Sequence, residues 1–157
     1  MNTASHLPAD ARSAICDALR AALVDGIDLQ TQIKVAHWNI KGPHFAALHP
    51  LFDQFAGDQS DNNDEIAERI VTLGHLAVGT ARHIAKNSRL DDYPQDLRRD
   101  LDHVGLLAKQ IGVYLVGMRA ARDVASQHDD EDTADLLTGM IEQFEKHAWF
   151  LHATLEQ

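Results

Sequence analysis

Cysteine is almost missing from this chain. Cys16 is the only one in 157 residues, which excludes an intramolecular disulfide framework and any cysteine-rich zinc module. Long apolar runs are missing as well. The longest stretch made only of apolar residues and glycine is 111–118, far too short to span a bilayer. The first ten residues contain no Lys or Arg, so neither a secretory leader nor a cationic membrane anchor is expected, and a cytoplasmic protein is. Positive charge is scarce. With 14 Lys and Arg against 24 Asp and Glu, the net charge is −10, the wrong sign for a generic nucleic-acid binder, whose phosphate contacts need clustered cations. Proline and glycine are few, at 4 and 9. That leaves little punctuation to break long helices.

What is present favours helix. Ala and Leu, both strong helix formers, occur 22 and 18 times. Apolar residues recur in alternating steps of four and three. One stripe is Leu97, Leu101, Val104, Ala108, Ile111, Leu115 and Met118. A second is Ala134, Leu137, Ile141, Phe144, Ala148, Leu151 and Leu155, and a third is Ile15, Leu19, Ala22, Leu29, Ile33 and Ala36. Such stripes are the seams of a left-handed helix bundle. The expected division is four long helices in one domain, 1–157, without a tail at either end. The first runs from Pro8 to about Trp38. A turn at 41–44 leads into the second, from about Phe45 to Leu73, with Gly74 as its stop. A short helix is expected at 81–87. Pro94 is expected to open the third long helix, to about Ser126, and the fourth follows 129–132 and ends at Leu155.

The second helix carries two pairs of metal-ligand side chains. His49 and Asp53 are spaced i, i+4, as are Asp64 and Glu68. The eleven-residue offset from 53 to 64 is about 20° from a whole number of turns, so all four share a face. At about 1.5 Å per residue the pairs lie roughly 16 Å apart along one helix, too far to hold one ion. A second, antiparallel copy of the helix removes the difficulty. Residues 49 and 68 share a midpoint at 58.5 with 53 and 64. Crossing there would place His49 and Asp53 of one chain beside Glu68 and Asp64 of the other, and a two-fold dimer would make the site twice. Ala56, Gly57 and Ser60 are the small residues expected at the crossing. His37, ahead of the turn, can approach His49 as the chain folds back. Two histidines and three carboxylates suit iron or manganese, and also zinc. The Glu-x-x-His pairs of intrachain di-iron bundles are absent from the sequence.

At these residues the sequence resembles the Dps family (DNA protection during starvation), a branch of the ferritin-like superfamily. The resemblance lies in KVAHWNIKGPHFAALHPLFD at 34–53, in DEIAERI at 64–70, in DTADLL at 132–137 and in EKHAWFLHATLE at 145–156. It implies an all-α, ferritin-like four-helix bundle with a short extra helix between the second and third. It implies a hollow homo-dodecamer built from two-fold dimers. It implies ferroxidase centres of two irons at the dimer interfaces, which oxidise Fe(II) with hydrogen peroxide or oxygen and store Fe(III) as mineral. Carried over, His37, His49 and Asp53 come from one chain and Asp64 and Glu68 from the other. Trp38 lies beside the centre as a scavenger of stray oxidising equivalents, though its simplest role is that of a core aromatic. Two departures stand out. Pro50 follows His49 inside the helix and costs one backbone hydrogen bond. The basic tails that many DNA-binding members use are missing, so DNA binding is doubtful; a DNA-compacting structural protein is the alternative function.

The fourth helix opens on acids. Three copies of Asp129, Asp130, Glu131, Asp132 and Asp135 around a three-fold axis would attract cations, and in the family this region lines a pore. Asp130, Asp132 and Asp135 are the pore candidates. Acids at a helix N-terminus also serve as caps. The remaining histidines, His103 and His147 among them, are expected at the surface or in interfaces.

Overall fold

The computed structural model describes residues 3–156. Its helices are α1 (Ala9–Asn39), α2 (Phe45–Thr72), α3 (Ala81–Asn87), α4 (Asp100–Gln127) and α5 (Glu131–Leu155). No strand is present among the described residues. The chain is all-α, as its stripes require. α1 packs along α2 and α4, and α4 along α5. The short α3 lies against α1. Every residue of the Ile15–Ala36 stripe is fully buried. Each large apolar side chain so removed from water stabilises the fold by roughly 1.5–3 kcal/mol before entropy is counted. The later stripes bury their middles, while Leu97, Leu101 and Ala148 are half-buried and Leu155 is exposed. No helix among the described residues is long and apolar enough to cross a membrane.

Pro94 does not open α4. The helix begins six residues later, at Asp100, because other hydrogen bonds claim the intervening backbone. Lys41 N–H donates to the Arg98 carbonyl, and Asp100 N–H donates to the Lys41 carbonyl. Residues 98–100 are thus held extended against the α1–α2 turn. Gly42, at φ 151°, is what allows this approach: a Cβ there would sit 2.4 Å from the Asp100 carboxylate, in a backbone region that L-residues avoid. Asp100 accepts hydrogen bonds from the backbone N–H groups of His44 and Leu101, and His44 Nδ1 lies 2.9 Å away. Pro50, by contrast, leaves α2 unbroken. It sits near the helix start, and Ala46, whose carbonyl loses its partner, is exposed to water.

α2 and α5 meet through polar rungs. His147 Nε2 lies 2.7 Å from Asp58, Asn62 donates to Gln143 at 2.9 Å, and Arg69 donates to Thr133 and Asp130 at 2.7 and 2.8 Å. His147 stacks on the ring of Phe55 and meets that of Phe144 edge-on. Both His147 and His103 are buried, against the expectation of surface positions. They occupy apolar stripe neighbourhoods because each imidazole has one polar partner inside, Asp58 for His147 and the Tyr93 hydroxyl for His103. Burial holds both below the ordinary histidine pKa; Asp58 only partly opposes this for His147.

That burial makes stability pH-dependent. Both histidines are neutral when folded, so below about pH 6.5 the unfolded chain binds protons that the folded one refuses. Stability drops on acidification from that point. A second loss begins near pH 4, where Asp53 and Asp100, both held below the ordinary carboxylate value by hydrogen bonds from Lys34 and His44, resist the protons that their unfolded forms accept. Unfolding midpoints from about pH 8 down to about pH 3 should show both steps. In the double variant His103→Gln, His147→Gln the first step disappears and the second stays.

Candidate metal centre

The turn that ends α1 and starts α2 brings two imidazoles face to face. His37 and His49 stack with ring centroids 3.8 Å apart and planes at 21°. They exchange backbone contacts reciprocally. His37 Nδ1–H donates to the His49 carbonyl at 2.7 Å, and His49 Nδ1–H donates to the His37 carbonyl at 2.9 Å. A carbonyl can only accept, so each Nδ1 carries its hydrogen and each Nε2 keeps its lone pair. That is the tautomer a metal ligand needs, fixed by its backbone partner. Phe45 stacks on the other face of His49 at 4.9 Å.

Asp53, one turn past His49, points to the same place, with its carboxylate 3.9 Å from His37 Nε2. It already has a cation. Lys34 Nζ lies 2.6 Å from Asp53 Oδ1, and this hydrogen bond lowers the Asp53 pKa. Lys34 escaped the sequence reading, although it sits one turn before His37 on α1 and its place on that face follows from the i, i+3 spacing.

Asp64 and Glu68 are elsewhere on α2. Both are exposed, and among the described residues no donor meets either carboxylate. Asp64 borders a groove of about 420 Å³ with Gln30, Ser60, Asp61 and Val78. Glu68 borders a second, of about 390 Å³, with Ala67, Val71, Thr72 and Ala77. The structure therefore brings His37, His49 and Asp53 together and leaves Asp64 and Glu68 apart from them in the same chain. Among the described residues no three His, Cys, Asp or Glu side chains converge to hold an ion.

Asp53, Gly57, Ser60, Asp61, Asp64 and Glu68 form one exposed strip along α2. No side chain reaches Gly57, where even an added Cβ would meet open space. Ala56 does not belong to this strip: it is buried against the core, because it lies about 100° around the helix from Gly57. Trp38 is no core aromatic either. It is 66% exposed, since Ala36 and Ile40 hold the inward positions at the end of α1.

The acids before α5 divide by burial. Asp130 is only 3% exposed. It caps α5 by accepting from Thr133 N–H, and it pairs with Arg69. Asp132 and Asp135 are exposed, and with Glu131, Arg122 and Ser126 they line a groove of about 480 Å³.

If Lys34 occupies the place of a cation beside Asp53, removing it frees the carboxylate. Lys34→Met should bind Co(II) or Zn(II) more tightly than the unaltered protein, as measured by calorimetric titration. Equal affinity would mean that the ammonium does not compete.

With this geometry in hand, comparison with known proteins is informative. The sequence profile described as Ferritin-like domain matches residues 16–157. The DNA protection during starvation protein of Agrobacterium fabrum is 36% identical over 155 residues, covering 99% of this chain and 96% of that protein. DNA protection during starvation protein 2 of Bacillus anthracis is 32% identical over 143 residues, covering 91% and 97%. Among solved structures, DpsC from Streptomyces coelicolor superposes with a TM-score of 0.95 at 30% identity, covering 100% of this chain and 92% of that one.

Proposed function

Because this chain belongs to the Dps family of ferritin-like proteins, we propose that it is a ferroxidase and iron store whose working centre is shared by two chains. One observation carries this reading: α2 presents two incomplete ligand sets on one exposed face, symmetric about residue 58.5. An antiparallel partner supplies to each set what it lacks. His37, His49 and Asp53 would then face Asp64 and Glu68 of a second copy, and these five side chains would hold the iron between them. The chemistry complements as well. Lys34 and two imidazole lone pairs would meet two carboxylates that have no donor among the described residues.

Fe(II) is the substrate. The imidazole Nε2 atoms bind it, the carboxylates favour the oxidised ion as hard oxygen donors, and Lys34 must swing away as the metal arrives. Two Fe(II) give up one electron each, and hydrogen peroxide takes both, with two protons, to leave two waters. No one-electron oxygen species is released in that stoichiometry. The ligand set is open to water, so Fe(III) can leave for a mineral core inside a dodecameric shell. Iron is the natural occupant, and zinc or manganese would fit the same donors. Trp38, exposed beside the histidines, is placed to donate an electron to stray oxidants. We place this single-domain protein in the cytoplasm. DNA compaction is the second reading. It would draw on Lys41, Arg98 and Arg99, exposed side by side at the α4 bridge, against a net charge of −10.

A shared centre has a distinctive test. His37→Ala and Asp64→Ala should each abolish peroxide-dependent iron oxidation while leaving the oligomer intact. In a dimer mixed from the two variants, one of the two sites carries both substitutions and the other carries none. Random mixing by co-refolding should therefore restore about a quarter of the original rate. No recovery would place the ligands within one chain.

The groove at the start of α5 is proposed as the iron entrance, with Asp132 and Asp135 facing the ion and Asp130 bracing the helix behind them. Asp135→Asn should slow the build-up of mineral more than the first turnover at the centre, as followed by stopped-flow absorbance. Equal slowing of both would remove the entrance from Asp135.

A further inference from the structure

The chain has two tyrosines, Tyr93 and Tyr114, and only one of them has a base. Tyr114 is buried in the middle of the bundle, where its oxygen accepts a hydrogen bond from the Gln59 amide at 3.2 Å. An amide cannot take up the phenolic proton. Tyr93 is half-buried on the segment ahead of α4, and its hydroxyl hydrogen-bonds to His103 Nδ1. The two rings lie 6.0 Å apart with planes at 22°. His103 is fully buried, and burial disfavours its charged form. The Leu97 carbonyl acts on the ring and can only accept, so the ring hydrogen sits on Nε2, short of full hydrogen-bond geometry, and Nδ1 is left to accept from the hydroxyl. Asp102 and Asp100 both act on the ring in the direction that favours a positive charge.

The position matters as much as the chemistry. Lys41 and Arg99 form a backbone bridge, Gly42 packs on Asp100, Asp100 holds His44, and the next residue, Phe45, stacks on His49. His103 is one turn beyond Asp100. The tyrosine and its base therefore stand at the end of the bundle that carries His37 and His49.

We propose that Tyr93 and His103 form a redox-active phenol–imidazole pair that absorbs one-electron oxidants arising near that end of the bundle. The proposal rests on the iron-and-peroxide reading only for the origin of the oxidant. A lone Fe(II) that meets peroxide yields Fe(III), hydroxide and hydroxyl radical. Tyr93 gives one electron to the radical, which becomes hydroxide. Its O–H bond breaks, and the proton passes to His103 Nδ1. The products are a neutral tyrosyl radical and an imidazolium. A second Fe(II) returns an electron to the tyrosyl oxygen as His103 returns the proton, leaving Fe(III). The sum is two Fe(II) oxidised per peroxide, with two hydroxides formed. The base is what makes this feasible. A phenol that has lost an electron is a far stronger acid than the phenol itself, so its proton passes to His103 Nδ1, where Asp102 and Asp100 oppose the cost of burying the charge. Burial likewise raises the Tyr93 pKa, so the phenol keeps its proton until it is oxidised.

The test uses the intact oligomer, first iron-free with hexachloroiridate(IV) as the one-electron oxidant, then with Fe(II) and hydrogen peroxide, freeze-quenched for electron paramagnetic resonance. A tyrosyl signal is expected in both. It should be lost in Tyr93→Phe and kept in Tyr114→Phe. His103→Gln leaves an acceptor for the hydroxyl but no base, and should lose the signal at an unfolding midpoint close to that of the unaltered protein. In the unaltered protein, formation of the signal should slow in D2O, which reads the proton without any substitution. A tyrosyl signal surviving in Tyr93→Phe, or a rate unchanged in D2O, overturns the pair. A Tyr93 signal with iridate but none with iron and peroxide supports the pair and counts against the iron chemistry proposed above.

Discussion

Two histidines trading hydrogen bonds across a turn hold fold and site in one device. His37 closes α1 and His49 opens α2, and each donates its Nδ1 hydrogen to the other's carbonyl. Near helix ends, polar groups of the main chain and side chains must find partners outside the regular ladder. Here those partners are the candidate ligand residues. The same contacts set both tautomers, and His37 Nε2 lies 3.9 Å from the Asp53 carboxylate. Loosening the turn would therefore cost the site its lone pairs before it cost the bundle its core. Gly42 and Asp100 brace the turn from the α4 side.

The charge of the chain acquires an address from this arrangement. The buried acids are paired: Asp25 with Arg89, Asp130 with Arg69, and Asp100 with His44. Asp64 and Glu68 have no donor among the described residues and lie on an exposed face of α2. A carboxylate that stays in water keeps its hydration until a cation or a partner replaces it. The chain thus leaves the Asp64 and Glu68 carboxylates accessible and holds the His37 and His49 imidazoles in one fixed arrangement.

Most of the architecture was legible in the sequence. The Ile15–Ala36 stripe, the turn at 41–44 and the short helix at 81–87 all lie where period and punctuation put them, because local propensity and burial agree there. Pro94 was misleading for a tertiary reason: the backbone of residues 98–100 is claimed by Lys41, fifty-odd residues away in sequence, and no local signal carries that. Trp38 was misread because size and apolarity suggest a core position, whereas Ala36 and Ile40 already fill it. His103 and His147 were misplaced because their partners, Tyr93 and Asp58, come from other elements. At the site, spacing alone grouped His49 with Asp53 and Asp64 with Glu68. Lys34 was recoverable from the same helical geometry but carries no metal-ligand chemistry to draw the eye.

Arg69 is the neighbour of Glu68, and it reaches across to Asp130 and Thr133 at the start of α5. Removing one partner of a buried pair of this kind costs about 3–5 kcal/mol. The helix that bears Asp64 and Glu68 and the helix that opens on the acidic groove are thereby fastened together at their ends. An insertion or loop graft at 128–130 would not stay local to the groove. It would pull on residue 69, and so shift Glu68 along the exposed face of α2. Anyone refashioning the groove would have to treat 68–69 and 130–133 as a single replaceable cassette.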